Sequence, residues 1–292
     1  MWLILLLIVN CSRKGRLEKP IIAASIYPVS MITEEIVGTD FTLITLLPPG
    51  ASPHTFEPTP GIVSALLQSE LLILVGGGLE SWLEDAIARY KEKKASKILV
   101  LTEGEELIPL PGGKKPNPHI WLSPVMMKGA VRRIGVTLSE IYPERASLFL
   151  ARADSFIARL DSLNLELQAI FGPLEGEGFF SFEPAWSYFA RDYGLEELGY
   201  LTTDPASQQG AADMLKLLNR LKGKEIRTIF TQKQAPMPYA KSLAKEFGLK
   251  LVYLDPIGNP EDTLVNSYIK LIRYNAYLIA KEIGKQKTQR AK

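Results

Sequence analysis

From Glu144 to Phe171 the chain runs without a glycine or a proline. Within that run Phe149, Ala153, Phe156, Leu160, Leu163, Leu167 and Ile170 recur at alternating spacings of four and three, which draws one apolar stripe along one helix face. At ~1.5 Å per residue this predicts a rod of about 40 Å. Pro143 stands at its start, where a missing N–H costs nothing. Gly172 and Pro173 end it. A helix of this length in mid-chain must bury its stripe, either in a coiled-coil pair or under structure supplied by its own flanks. The flanks favour the second.

Both flanks alternate between short apolar runs and helical stretches. In the first, Ile21–Val29, Phe41–Leu47, Leu71–Val75 and Lys97–Leu101 are strand candidates, with helices including Ile62–Ser69 and Ser81–Arg89 between them. In the second, Gly178–Glu183, Glu197–Thr202, Thr228–Gln232 and Lys250–Asp255 play that part. Alternation of this kind predicts βα units and mostly parallel sheets. The expected fold is α/β, two lobes joined by one long rigid helix. Residues 20–142 form the first lobe, 143–172 the linking helix, 173–286 the second lobe and 287–292 a tail. At 292 residues the chain has the length of roughly two domains.

Residues 1–19 read as an anchor region and tether. Trp2–Val9 is an unbroken apolar run of eight residues, too short for the ~20 that span a bilayer but the length of a signal-peptide core. The sole cysteine, Cys11, follows it. This arrangement resembles a bacterial lipoprotein signal, in which that cysteine is lipidated and becomes the mature N-terminus. It departs from the usual form in having no Lys or Arg before the run, and Asn10 where a smaller residue is usual. The expectation is a lipid anchor at Cys11, with the body in water on the outer side of a membrane. With one cysteine there is no intrachain disulfide and no Cys-based zinc site. Lys+Arg 34 against Asp+Glu 32 leaves a formal charge of +2, which argues against a nucleic-acid partner and against a polybasic membrane surface.

The only histidines are His54 and His119. His54 lies in PPGASPHTFEPTP, just after the second strand candidate, and His119 in KPNPHIWLSP, ahead of a helix expected from Pro124 to Tyr142. Both sit in proline-bracketed loops, which leave little chain entropy to lose on binding. Glu183 ends the apolar run GFFSF, where it could cap the helix starting at Pro184 or aim into a cleft. Asp255 ends KLVYL before Pro256, a common turn opening. All four stand at strand ends or in loops beyond them, where open α/β sheets place ligands. If the lobes face each other, the two imidazoles of one meet the two carboxylates of the other. That donor set suits a first-row divalent transition metal.

PHTFEPTP, NPHIWLSP, SFEPAWSYFARDYGL and TIFTQKQAP…YLDPIG, in this order, resemble the metal-binding solute-binding proteins of ABC importers, the zinc- and manganese-type periplasmic binding lipoproteins. The likeness covers roughly residues 20–285. It implies two α/β lobes on one long helix, a metal clamped in the cleft by His54, His119, Glu183 and Asp255, and delivery of that ion to a membrane permease. It implies a binding protein, not an enzyme, in the periplasm or on the outer face of the cytoplasmic membrane. The bound substrate would be one zinc or manganese ion, with iron(II) a further candidate. The protein is expected to be monomeric, since its stripe is covered from within. Many zinc-type members carry His as the third ligand, where this chain has Glu183 as manganese-type members do. Asn117 replaces the usual Asp of an Asp-Pro-His motif. Residues 102–116 hold no histidine and three acids, where zinc-type members often have a His-rich loop. Two other readings stand beside this one: a metal-dependent hydrolase using the same donors, and an adhesin-like lipoprotein.

Overall fold

The computed structural model describes residues 19–93, 97–110, 115–200, 226–232, 241–242, 244–246 and 248–290. Cys11 and the apolar run Trp2–Val9 lie outside them, as do Leu201 and Thr202 and the residues after Gln232 in TIFTQKQAP.

The first half builds strands β1 (Ile21–Ala24), β2 (Thr42–Thr45), β3 (Leu71–Leu74) and β4 (Lys97–Val100), all parallel in the order β2-β1-β3-β4. The second half repeats that order with β5 (Gly178–Ser181), β6 (Glu196–Tyr200), β7 (Thr228–Gln232) and β8 (Lys250–Leu254), paired as β6-β5-β7-β8. In each sheet the direction of winding reverses between the first and third strands. The carboxyl ends at such a reversal open the crevice in which α/β sheets bind ligands. Helices α1 (Tyr27–Val37), α2 (Pro60–Gln68), α3 (Glu84–Lys91) and α4 (Pro124–Ile141) belong to the first half. The short α6 (Ser187–Asp192) and the C-terminal α7 (Tyr268–Arg290) belong to the second.

The linking helix is α5 (Ala146–Phe171), 26 residues and therefore about 39 Å long. The turn Pro143–Arg145 before it is 3₁₀, so α5 begins two residues after Glu144. Its buried stripe is Phe149, Ala153, Phe156, Leu160, Leu163, Leu167 and Phe171. The expected last member, Ile170, is 38% exposed. At 3.6 residues per turn Ile170 has drifted off the stripe's axis by more than half a right angle, and Phe171 falls back within it. Phe171 then packs edge-on to Phe189 and stacks on Tyr193, ring centroids 5.2 and 5.6 Å away.

A second difference concerns Ile21–Val29. The strand stops at Ala24, and Tyr27-Pro28-Val29 opens α1, with Pro28 in the first turn. An uninterrupted apolar run looks the same in a buried strand and a buried helix, and only the proline marks the change.

α5 packs against α4, α1 and α7. One continuous apolar core therefore joins Ile22, Val29 and Ile32 of the first half to Phe230, Leu254 and Ile272 of the second. α4 and α5 approach closely at Gly135, where an added Cβ would stand 2.9 Å from the Cβ of Ala153. Gly284 in α7, by contrast, faces open space. Gly135→Val should therefore overpack the helix pair and cost about 1–3 kcal/mol, whereas Gly284→Ala should stabilise α7 slightly by raising helix propensity. Thermal denaturation of the two variants checks this. Shifts of the same sign would contradict the steric account.

Candidate metal centre

Each half contributes to one small cavity at the strand ends. His54 comes from the loop after β2. Ser52 shapes that loop: its carbonyl accepts from the N–H of Thr55 (3.2 Å) and Phe56 (3.1 Å), and its Oγ accepts from the N–H of His54 (3.3 Å). Phe56 then packs edge-on to Trp82, centroids 5.2 Å apart, which anchors the loop to the lobe. The imidazole of His54 stays 22% exposed at the mouth.

His119 lies deeper, 4% exposed, with its ring against Trp121 at 4.9 Å. Its Nδ1 lies 2.7 Å from Asn117 Oδ1, an oxygen that also accepts from the His119 backbone N–H at 3.0 Å. An amide oxygen only accepts, so Nδ1 carries the proton and Nε2 presents its lone pair. The loop bearing His119 is backed by the glycine turn after β3. Gly77 has φ +62° and approaches Pro118 so closely that a Cβ would stand 3.2 Å from the Pro118 Cα. The buried carboxylate of Glu80 holds that turn by accepting from the N–H of Val75 (2.8 Å) and Gly76 (3.0 Å).

Glu183 follows β5 and is 5% exposed. Although it precedes a helical turn at Pro184–Trp186, its side chain makes no capping bond. Its Oε1 instead accepts from Gln232 Nε2, at the end of β7. The carboxylate stands between the two imidazoles, with His119 Nε2 3.9 Å from Oε1 and His54 Nε2 3.9 Å from Oε2. Donor atoms of His54, His119 and Glu183 all lie within 4.8 Å of one another, the one such group of His, Cys, Asp and Glu among the described residues. Donors sharing an ion at ~2.1 Å in tetrahedral array lie roughly 3.4 Å apart. The observed spacings need only a small closing movement to reach that. Ser52, Pro53, Trp121, Gln232, Pro256 and Ile257 complete the lining, and the space inside is about 10 Å³. That is room for one water-sized particle.

Asp255 is not brought into the group. Its Oδ1 accepts from the N–H of Ile257 (3.1 Å) and Gly258 (2.7 Å), the turn that Asp before Pro predicts. Its main chain is fixed on both sides by Asn275, which accepts from the Asp255 N–H (2.8 Å) and donates to the Asp255 carbonyl (2.7 Å). Gln232 was not foreseen as part of the site. Its signal in the sequence is an amide closing a strand that is buried along its whole length.

The electrostatics suit a cation. Burial pushes the Glu183 carboxyl above its ordinary range, with the nearness of His54 and the Gln232 hydrogen bond opposing. Burial, and then the neighbouring His54, hold the His119 imidazole well below its usual pKa. His119 is thus kept in the neutral form a metal needs, and burial leaves the Glu183 carboxylate only partly offset by His54 and Gln232. A group whose folded pKa is raised adds stability below its unfolded pKa and loses it as pH rises through the folded one. Metal-free Glu183→Gln protein should therefore gain Tm over the parent, and the gap should widen from acid to neutral pH. A pH-independent gap in a metal-free melting series would refute the buried-charge account.

The chain is similar to known zinc-uptake proteins. The family described as "Zinc-uptake complex component A periplasmic" matches residues 22–282. The zinc-binding protein AdcA of Streptococcus pyogenes serotype M1 is 26% identical over 297 residues, covering 91% of this chain. The chain spans only 58% of that relative's length. The high-affinity zinc uptake system protein ZnuA of Yersinia pestis is 27% identical over 277 residues, covering 86% of this chain and 87% of the relative. A crystal structure of ZnuA superposes with a TM-score of 0.81 at 27% identity, over 91% of this chain and all of the other. The AdcAII protein of Streptococcus pneumoniae gives 0.80 at 26% identity, over 91% and 99%. With the match running from β1 into α7, the chain belongs to the zinc-uptake complex component A family.

Proposed function

We propose that this protein is the extracytoplasmic solute-binding component of an ABC importer, capturing one divalent transition metal ion, zinc before manganese or iron(II), for a membrane permease. The observation that carries the reading is the set of three converging donors around a space of about 10 Å³. His54 and His119 of the first lobe (residues 20–142) and Glu183 of the second (residues 173–286) are the proposed ligands. Asp255 is the proposed fourth, since Pro256 and Ile257 beside it line the cavity and a turn of its carboxyl frees an oxygen for the ion. Two imidazoles and two carboxylates neutralise a divalent ion. The zinc-binding names of the relatives support zinc. The carboxylate at position 183 keeps the site open to harder ions.

Four protein donors would close the coordination shell, whereas catalytic metal sites keep a position open to substrate. Turnover of ester or phosphate substrates by the metal-loaded protein would favour a hydrolase instead. The proposed location is the periplasm or the outer membrane face, tethered through Cys11. Loss of lipid labelling in Cys11→Ser protein would support the tether, and unchanged labelling would remove it.

Elemental analysis of protein purified without added metal, followed by zinc–manganese competition, tests the proposal. One bound ion per chain is expected, and no stoichiometric metal after loading would end it. Loading should change the overall shape little, because α5 and the shared core tie both lobes together. A large fall in the radius of gyration by small-angle scattering would contradict that expectation.

A further inference from the structure

We infer that Asn117 is a positioning residue that sets both walls of the metal cleft with one amide, fixing the His119 ring on one lobe and the backbone beside Glu183 on the other. The inference rests on the metal-site reading above.

Asn117 is 1% exposed, and both ends of its side chain are engaged. Oδ1 accepts from His119 at two atoms, the ring Nδ1 (2.7 Å) and the backbone N–H (3.0 Å). Nδ2 donates across the cleft to the carbonyl of Pro184 (2.6 Å), the residue after Glu183, and to Ser187 Oγ (3.3 Å). The Asn117 carbonyl accepts from the Tyr188 hydroxyl at 2.7 Å. Ser187 Oγ in turn donates to the half-buried carboxylate of Glu197, which also accepts from Ser181 Oγ at 2.9 Å. The orientation of the amide follows from these partners, because a carbonyl opposite Nδ2 demands a donor there. Among side chains of this shape and size, only the amide accepts at one end and donates at the other. Aspartate would set an oxygen against the Pro184 carbonyl, and leucine would serve neither end.

The segment carrying His119 is bound to the second lobe on its other flank as well. Trp121 Nε1 donates to the Pro256 carbonyl (2.8 Å), the Tyr268 hydroxyl donates to the Trp121 carbonyl (2.9 Å), and Ser123 Oγ bonds Asp192. His119 and Glu183 therefore face each other across a gap braced from both sides, and His54, at the mouth, is the ligand that this bridge does not touch. Partners that orient a ligating histidine typically contribute 10–100-fold to metal affinity, on the order of a factor this large for Asn117.

Two variants separate the two jobs of the amide. Asn117→Leu should weaken zinc binding by roughly 10–100-fold, and nitrogen NMR of the metal-free protein should show the His119 ring leaving the Nδ1–H tautomer. Asn117→Asp keeps the acceptor and loses the donor. It should hold the tautomer yet release zinc faster, although its added negative charge alone would slow release. Unchanged affinity in Asn117→Leu, or lost affinity with the tautomer intact, would overturn the inference. So would slower or unchanged release from Asn117→Asp. His54→Ala and His119→Ala run in parallel: if they bind zinc as the parent does, the metal-site reading itself falls, and if they do not, a failure at Asn117 is its own.

Discussion

His54→Ala and His119→Ala should each abolish tight metal binding while the protein stays folded. These are the chain's only imidazoles, and the structure brings their Nε2 atoms to opposite oxygens of one carboxylate, each at 3.9 Å. Apparent binding energies of ~10–16 kcal/mol for structural zinc, divided over four donors, give about 3–4 kcal/mol per donor at the upper end. That corresponds to roughly a hundredfold to a thousandfold in Kd. The two variants should differ in a second respect. His54 is partly exposed on a loop, so its loss should leave Tm of the metal-free protein unchanged. His119 is buried against Trp121 and holds Asn117, so its truncation opens a cavity and strands an amide oxygen. It should lower Tm as well. Calorimetric titration and thermal melting of both proteins check this. A binding isotherm matching the parent in either would show that the ion sits elsewhere.

The reach of sequence reasoning here follows the physics of each signal. α5 was legible because a long run without Gly or Pro, striped at helical spacing, has one solution. Its last stripe residue was misplaced because alternating threes and fours drift from 3.6 over five or more turns. The strands were legible as apolar runs, and the misplaced end of the first reflects an apolar helix that follows it directly. His54 and His119 stood out through scarcity and their prolines. Glu183 was open between cap and ligand, and the fold removes the cap, since the side chain makes no capping bond and one oxygen accepts from Gln232 on a neighbouring strand. Asp255 kept its turn, which is a local interaction and so was visible locally. The Asn117 bridge was beyond reach because it joins residues 67 and 70 positions apart in the chain, and no local pattern reports such a pair.

Glu183→His should move the site's preference from manganese toward zinc. The carboxylate is a hard donor carrying a full charge, and manganese depends on such donors more than zinc does. An imidazole in its place is softer and neutral, leaving Asp255 as the one anionic group among the proposed ligands. The local backbone and hydrogen bonds permit the exchange. The side chain enters the cavity from extended backbone after β5 and makes no capping bond, so nothing local ties position 183 to an acid. Gln232, which donates to Glu183 Oε1, can rotate its amide and accept from a ring N–H instead. The Asn117 bond to the Pro184 carbonyl involves main chain and stays in place. The expected result is a manganese Kd raised by more than the zinc Kd, with their ratio shifted by about tenfold or more, equivalent to at least ~1.4 kcal/mol. Both constants should be measured in one buffer by competition against the same chelator. The zinc-bound variant should also remain neutral to added anions such as acetate, since a His₃-carboxylate set still closes the coordination shell. A zinc-to-manganese ratio equal to the parent's would mean that no oxygen of Glu183 touches the ion, and that its place beside two imidazoles serves only the Gln232 bond.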